Sequence, residues 1–243
     1  MGNYTIYRLR PASSISVDEI RNHYLWFARP YTFKDIDDSN IVSFIEKNES
    51  IKSSFERIFN DYKEVAKQVS CAGICCFTET LPAKRKWKHF PNKVLNGLCI
   101  EYDKYLLEQF FKNTRGIVDC FKKIDYQEEP ILFQSYSKPN DIVWKVFDDS
   151  ILYKSMRAIE KDVRLMDELF LKMFTRLNIK FVNQKEVRII LGGGNIPDKS
   201  DNIQGYKVVI PKEAIKKVYF HSKMPKKIIK EIISIPNIIT QMI

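Results

Sequence analysis

Two short apolar runs, Ala72–Phe77 and Gly97–Tyr102, constrain this chain more than any other feature. Each has the length of a strand and is almost free of polar residues, as a strand buried on both faces is. A basic, proline-punctuated loop joins them; it carries KRKWK at Lys84–Lys88 and sets Trp87 and His89 two residues apart. An indole and an imidazole on a connecting loop either pack against the edge of a core or attend a site on a rigid scaffold. The residues alone leave both readings open.

The rest of the chain supplies partners for those runs. Tyr4–Leu9 (YTIYRL) alternates aromatic and β-branched residues with polar ones and reads as a strand. Ser16, with Glu19 three residues on, has the form of a capping box opening a short helix over Val17–Asn22. Tyr24–Ala28 (YLWFA) is a second strand, stopped at Arg29-Pro30. Apolar residues at helical spacing over Ile41–Val69 predict one or two amphipathic helices. A helix is expected near Lys104–Asn113 and a strand over Ile117–Tyr126. Residues 142–177 read as a helical layer or insertion, its methionines and aromatics facing a core. Lys180–Leu191 leads into and forms a strand, Tyr206–Ile210 and Val218–His221 are further strands, and Pro225–Ile235 is a terminal helix. Strands, then helices, then strands again predict a single α+β domain over residues 1–243, with a central, mainly antiparallel, split β-sheet.

Composition narrows the function. Forty Lys and Arg against thirty Asp and Glu give a net charge of +10, which favours anionic partners: nucleic acid, a phosphorylated ligand or an acidic protein. No apolar run reaches the roughly 18 residues of a membrane span, so no membrane partner is expected. The start, MGNYTIYRLRP, lacks the layout of a signal peptide, and Ile6 stands where a myristoylation signal has Ser or Thr, which predicts a cytoplasmic protein. The five cysteines form no paired CxxC knuckles and read as buried free thiols; with three histidines, no metal site is expected.

Two motifs remain. Gly192-Gly193-Gly194 lacks the GxxxxGK[ST] spacing of a phosphate loop and reads as a turn. Glu186, between Lys185 and Arg188 at the start of a strand, is either a solvated ion pair or a carboxylate fixed by basic neighbours for catalysis.

Three blocks in order, YRLR with WFARP and FKDIDD, then CFTE with WKHF and GLCIEY, then KFVNQKEVRII, give the chain a familiar pattern. It resembles the bacterial domain-of-unknown-function family 2971, and the resemblance runs over nearly the whole chain. Departures stand at Lys34-Asp35-Ile36, where the family has Asn-Asp-Pro, at Phe90, where it has Tyr, and in the last block, which lacks the family's tryptophan. The layout is also similar to that of ADP-ribosyltransferase-like domains, in which one strand grips NAD, a second packs on its nicotinamide side, and a strand glutamate bonds a ribose hydroxyl as the glycosidic bond breaks. This second resemblance implies that Tyr7 and Arg8 hold NAD, that Trp26 and Phe27 line its pocket, and that Glu186 is catalytic. It implies a catalytic part for His89 and sets Asp35, Trp87 and Arg188 on the substrate side. An oxocarbenium-like centre needs one fixed carboxylate, while basic groups answer the pyrophosphate.

The leading expectation is a toxin-like, NAD-using effector that modifies nucleic acid or protein in bacterial antiviral defence or stress. A non-enzymatic basic module binding nucleic acid or a partner subunit, and a nucleotide sensor without turnover, are its rivals.

Overall fold

The computed structural model describes residues 4–33, 72–82, 97–127, 133–135, 142–144, 174–192, 204–221 and 223–243. The helices expected over Ile41–Val69, the KRKWK cluster, and the candidate residues Asp35, Trp87 and His89 lie outside the described residues.

In chain order the elements are β1 (Thr5–Arg10), α1 (Ser14–Arg21), β2 (Tyr24–Ala28), β3 (Gly73–Thr78), β4 (Leu98–Asp103), α2 (Lys104–Lys112), β5 (Ile117–Lys123), β6 (Asp125–Gln127), β7 (Phe133–Ser135), β8 (Ile142–Trp144), β9 (Arg176–Asn178), β10 (Glu186–Leu191), β11 (Gly205–Val209), β12 (Ile215–Phe220), α3 (Lys226–Ile233) and β13 (Ile239–Met242). Nine of the strands form one mainly antiparallel sheet, in an α+β fold. Only β12 and β13 run parallel within it.

The buried run Gly73–Thr78 is the junction of the sheet. One edge of β3 pairs with β10 along its whole length, from Glu186 opposite Thr78 to Leu191 opposite Gly73. The other edge is shared: Ala28 of β2 meets Ile74, and Tyr7 of β1 meets Thr78. β1 and β2 therefore fork apart along that edge. β11 continues the sheet beyond β2, while β4, β12 and β13 continue it beyond β1. Alternation along the strands sends Ile6, Cys75, Phe77, Ile100, Tyr102, Val187 and Ile189 to one face, where they bury Val17 and Ile20 of α1, Leu107 and Phe111 of α2, and Ile232 of α3. Phe77 stacks edge-on against Tyr102 and Phe121, with centroids 5.7 and 5.3 Å away. Full burial of such a ring contributes about 1.5–3 kcal/mol relative to exposure.

A fork leaves backbone groups without ladder partners, and buried backbone groups must find others. Arg8 meets that need. Its Nη2 donates to the Trp26 carbonyl at 2.7 Å, tying β1 to β2. Its Nη1 is paired with Glu19 of α1, whose other oxygen lies 2.8 Å from Arg10 Nε. Glu19 is fully buried. It is therefore not the capping-box residue the sequence suggested. Ser13 caps α1 instead, accepting from the Ser16 amide at 3.3 Å, while Ser16 Oγ donates to the Pro11 carbonyl at 2.7 Å.

Three other expectations change. The segment 142–177 begins and ends in strands: β8 pairs with β7, and β9 runs parallel to β6, while residues 145–173 lie outside the described residues. Residues 117–126 are not one strand but β5 and β6, which part at Ile124 and join different sheets; within β5, Phe121 takes a positive φ of 56° and the β5–β10 register shifts. The stretch Ile179–Gln184 is a 3-10 helix rather than the start of a strand, because the Asn178 side chain caps it at the Lys180 amide and Lys185 turns out of it with φ 46°.

Beside the buried ion network, the Tyr102 hydroxyl is buried without a hydrogen-bond partner among the described residues, and burial pushes its phenol well up. An unmet buried hydroxyl costs about 1–3 kcal/mol. Tyr102→Phe is therefore expected to leave the thermal midpoint unchanged or raise it. A drop of several degrees on melting would show that the hydroxyl is satisfied in solution.

Candidate functional site

The side of the sheet away from that helix-covered core carries a row of polar and charged side chains. Residues opposite one another in an antiparallel pair point to the same face. Glu186 lies opposite Thr78, Thr78 opposite Tyr7, Tyr7 opposite Glu101, and Glu101 opposite Lys217. The row thus crosses β10, β3, β1, β4 and β12. Through Ala28 opposite Ile74, and Ile74 opposite Ile190, Trp26 belongs to this face as well.

At one end of the row, Glu186 is the first residue of β10 and is pinned from several sides. Its amide donates to Tyr126 Oη at 2.7 Å, and its carbonyl accepts from the Ile124 amide at 3.2 Å. Thr78 Oγ1 donates to the Gln184 carbonyl at 2.7 Å, fixing the approach to β10 from the neighbouring strand. Arg188, two residues along the same face, donates from Nε to Glu186 Oε1 at 2.6 Å and from Nη1 to the Phe174 carbonyl at 2.8 Å. Its guanidinium lies 5.7 Å from the centre of the Phe33 ring. The Arg188 side chain is fully buried and that of Glu186 is 12% exposed. The pair is therefore not a solvated surface ion pair: a buried guanidinium holds a carboxylate whose edge reaches the surface. Burial pushes the nearby Tyr126 phenol up to about 12, so it stays protonated at neutral pH.

Tyr7, at the middle of the row, is part-buried, and its hydroxyl makes no hydrogen bond among the described residues. Burial first, then the Glu101 carboxylate, pushes its phenol up, so it too is a neutral donor. At the far end, Tyr219 donates to Glu101 Oε2 at 2.5 Å. Burial and that hydrogen bond raise the Tyr219 phenol. Lys217 donates from Nζ to Gln241 Oε1 at 3.1 Å and lies 5.5 Å from the Tyr219 ring centre.

The residues that the sequence grouped as NAD ligands are divided between the two faces. Tyr7, Trp26, Glu186 and Arg188 share the row's face. Arg8 follows Tyr7 and Phe27 follows Trp26 along their strands, so both point the other way. Arg8 is engaged by Glu19 and the Trp26 carbonyl, and Phe27 is fully buried, 5.9 Å from the Phe111 ring. Trp26 is half-buried and lies over Gly205, where a Cβ would come within 2.7 Å of the indole and 2.4 Å of the Phe27 carbonyl. That glycine is what lets β11 pair so close to the ring.

Glu101, Tyr219 and Thr78 were not singled out in the sequence. Glu101 had a signal: it is the one charge inside the apolar run GLCIEY, where a charge is retained only with a partner. Cys75 and Cys99 are buried thiols, pushed up by burial, Cys75 to about 12. Among the described residues no group of three or more His, Cys, Asp or Glu side chains is placed to hold a metal ion. No helix among them is long and apolar enough to cross a membrane. The chain matches no family model, no curated protein and no solved structure with which it was compared.

Proposed function

We propose that the protein is an NAD-using, ADP-ribosyltransferase-like enzyme of toxin-like type, with Glu186 as its catalytic carboxylate. One observation carries the reading: Glu186 is fixed by a buried guanidinium at the rim of a forked sheet, on the same face as Tyr7, two strands away across β3, and the Tyr7 hydroxyl makes no hydrogen bond among the described residues. A carboxylate held in this way stabilises positive charge growing at the anomeric carbon of a ribose without having to reorganise. Tyr7 and Trp26 supply donor and aromatic surface to the cofactor on that face, while Arg8 and Phe27 belong to the scaffold. The test is release of nicotinamide from NAD by the wild-type protein, with nucleic acid and protein acceptors supplied. Absence of both NAD binding and nicotinamide release removes the reading.

A second reading, a basic nucleic-acid-binding module, is favoured by Lys223, Lys226, Lys227 and Lys230, all exposed on α3 and the turn before it. If these lysines contact phosphates, affinity for nucleic acid falls with salt at a log–log slope of about −0.7 to −0.9 per contact. Binding that is unchanged between low and moderate salt, or undetectable at low salt, rules this reading out.

A further inference from the structure

We propose that Glu101, aligned by Tyr219 and flanked by Tyr7, is a second ribose-binding subsite, which takes a hydroxyl of the adenosine half of a dinucleotide. The inference deepens the NAD reading and rests on it.

Glu101 sits on β4 in an otherwise apolar run, part-buried, with one carboxylate oxygen bonded by Tyr219 Oη at 2.5 Å. Its other oxygen makes no hydrogen bond among the described residues. The Tyr219 ring is packed with Cys99, Tyr7, Leu9 and Ile243, so the carboxylate is held in one orientation rather than swinging in solvent. A fixed, half-satisfied carboxylate beside an aromatic ring is the chemistry that recognises a ribose hydroxyl, since it accepts a donor that a deoxyribose lacks. Lys217, opposite Glu101 on β12, is held by Gln241 and does not close the carboxylate off with an ion pair.

Position completes the argument. Glu101 and Glu186 lie in one cross-strand row with Tyr7 and Thr78 between them. Three strand spacings put their backbones about 14 Å apart. A dinucleotide presents two riboses joined by a pyrophosphate, and the row presents two carboxylates separated by a phenol donor. Glu186 would meet the ribose whose bond breaks, and Glu101 the one that is only held.

The test uses AMP, 2′-deoxy-AMP and 3′-deoxy-AMP as probes, so that charge and base stay constant while one hydroxyl is removed. Wild-type protein is expected to bind AMP about tenfold or more tightly than at least one deoxy analogue, the loss typical of a hydrogen bond to a charged group. Glu101→Gln is expected to weaken AMP about tenfold and to shrink that preference, while Tyr219→Phe, which removes only the aligning donor, gives a smaller loss of the same kind. Melting curves establish that each variant is folded. Should Glu101→Gln fail to fold, Tyr219→Phe and the wild-type preference decide. Equal affinity for all three nucleotides, no AMP binding at millimolar concentration, or an undiminished preference in folded Glu101→Gln each overturn the subsite. A Glu101-dependent ribose preference in a protein that releases no nicotinamide from NAD sustains the subsite and overturns the transferase reading. Nicotinamide release without any ribose preference does the reverse.

Discussion

Replacing Glu186 with glutamine is expected to leave NAD bound and to lower turnover about 10²–10³-fold, the usual cost of deleting one preorganised electrostatic contact. The amide keeps the size of the carboxylate and an oxygen that can accept from Arg188 Nε, so the local geometry is retained. What is lost is the negative charge that answers the oxocarbenium-like centre. The same substitution has a structural cost that the sequence alone understated. With Arg188 fully buried, Glu186 is its partner inside the protein rather than half of a surface pair worth under ~1 kcal/mol. Removing one member of a buried pair costs about 3–5 kcal/mol, with the Phe174 carbonyl and the Phe33 ring softening that loss here. Turnover must therefore be measured below the melting midpoint of the variant. Nicotinamide release by folded Glu186→Gln at the wild-type rate would falsify the catalytic role and leave Glu186 as the counter-ion of Arg188.

The parts of this fold that were legible in the sequence are those with enough length and apolar content to mark a strand. Thr5–Arg10, Gly73–Thr78 and Leu98–Asp103 announce themselves as strands through β-branched and aromatic residues at strand length. The three-residue strands β8 and β9 are too short to carry a period, so helical spacing in the intervening sequence masked them. Pairing is a further step away from the sequence. That Glu186 faces Thr78, and Thr78 faces Tyr7, depends on which strands become neighbours, and nothing local specifies that. One constraint was available: consecutive strand residues point to opposite faces, so Tyr7 and Arg8 stand on opposite sides of the sheet. Glu19 illustrates the opposite difficulty. Its spacing from Ser16 satisfies a local capping pattern, yet the fork between β1 and β2, formed by distant segments, turns it inward to two arginines.

Arg8→Met is expected to cost about 3–5 kcal/mol of stability, a fall in thermal midpoint on the order of 10 °C for a chain of this size. The substitution removes the guanidinium that holds the fully buried Glu19 carboxylate and leaves the Trp26 carbonyl without its donor across the fork. Arg10, 2.8 Å from the other Glu19 oxygen but out of line for a hydrogen bond, compensates only in part. Replacing both partners, Arg8→Met with Glu19→Leu, is expected to recover most of the loss, because exchanging a buried pair for apolar side chains of similar volume is often neutral. Arg10 keeps 17% of its side chain exposed, but its Nε is buried and loses Glu19 in that background, so the recovery falls short of complete. A double-mutant cycle reads the coupling directly. The same variants separate scaffold from site: below its melting midpoint Arg8→Met should bind NAD as wild type does, since Arg8 lies across the sheet from Glu186. Weakened NAD binding in folded Arg8→Met would return Arg8 to the cofactor site, and a midpoint shift of a degree or less would show that the fork is held by something other than the Arg8–Glu19 pair.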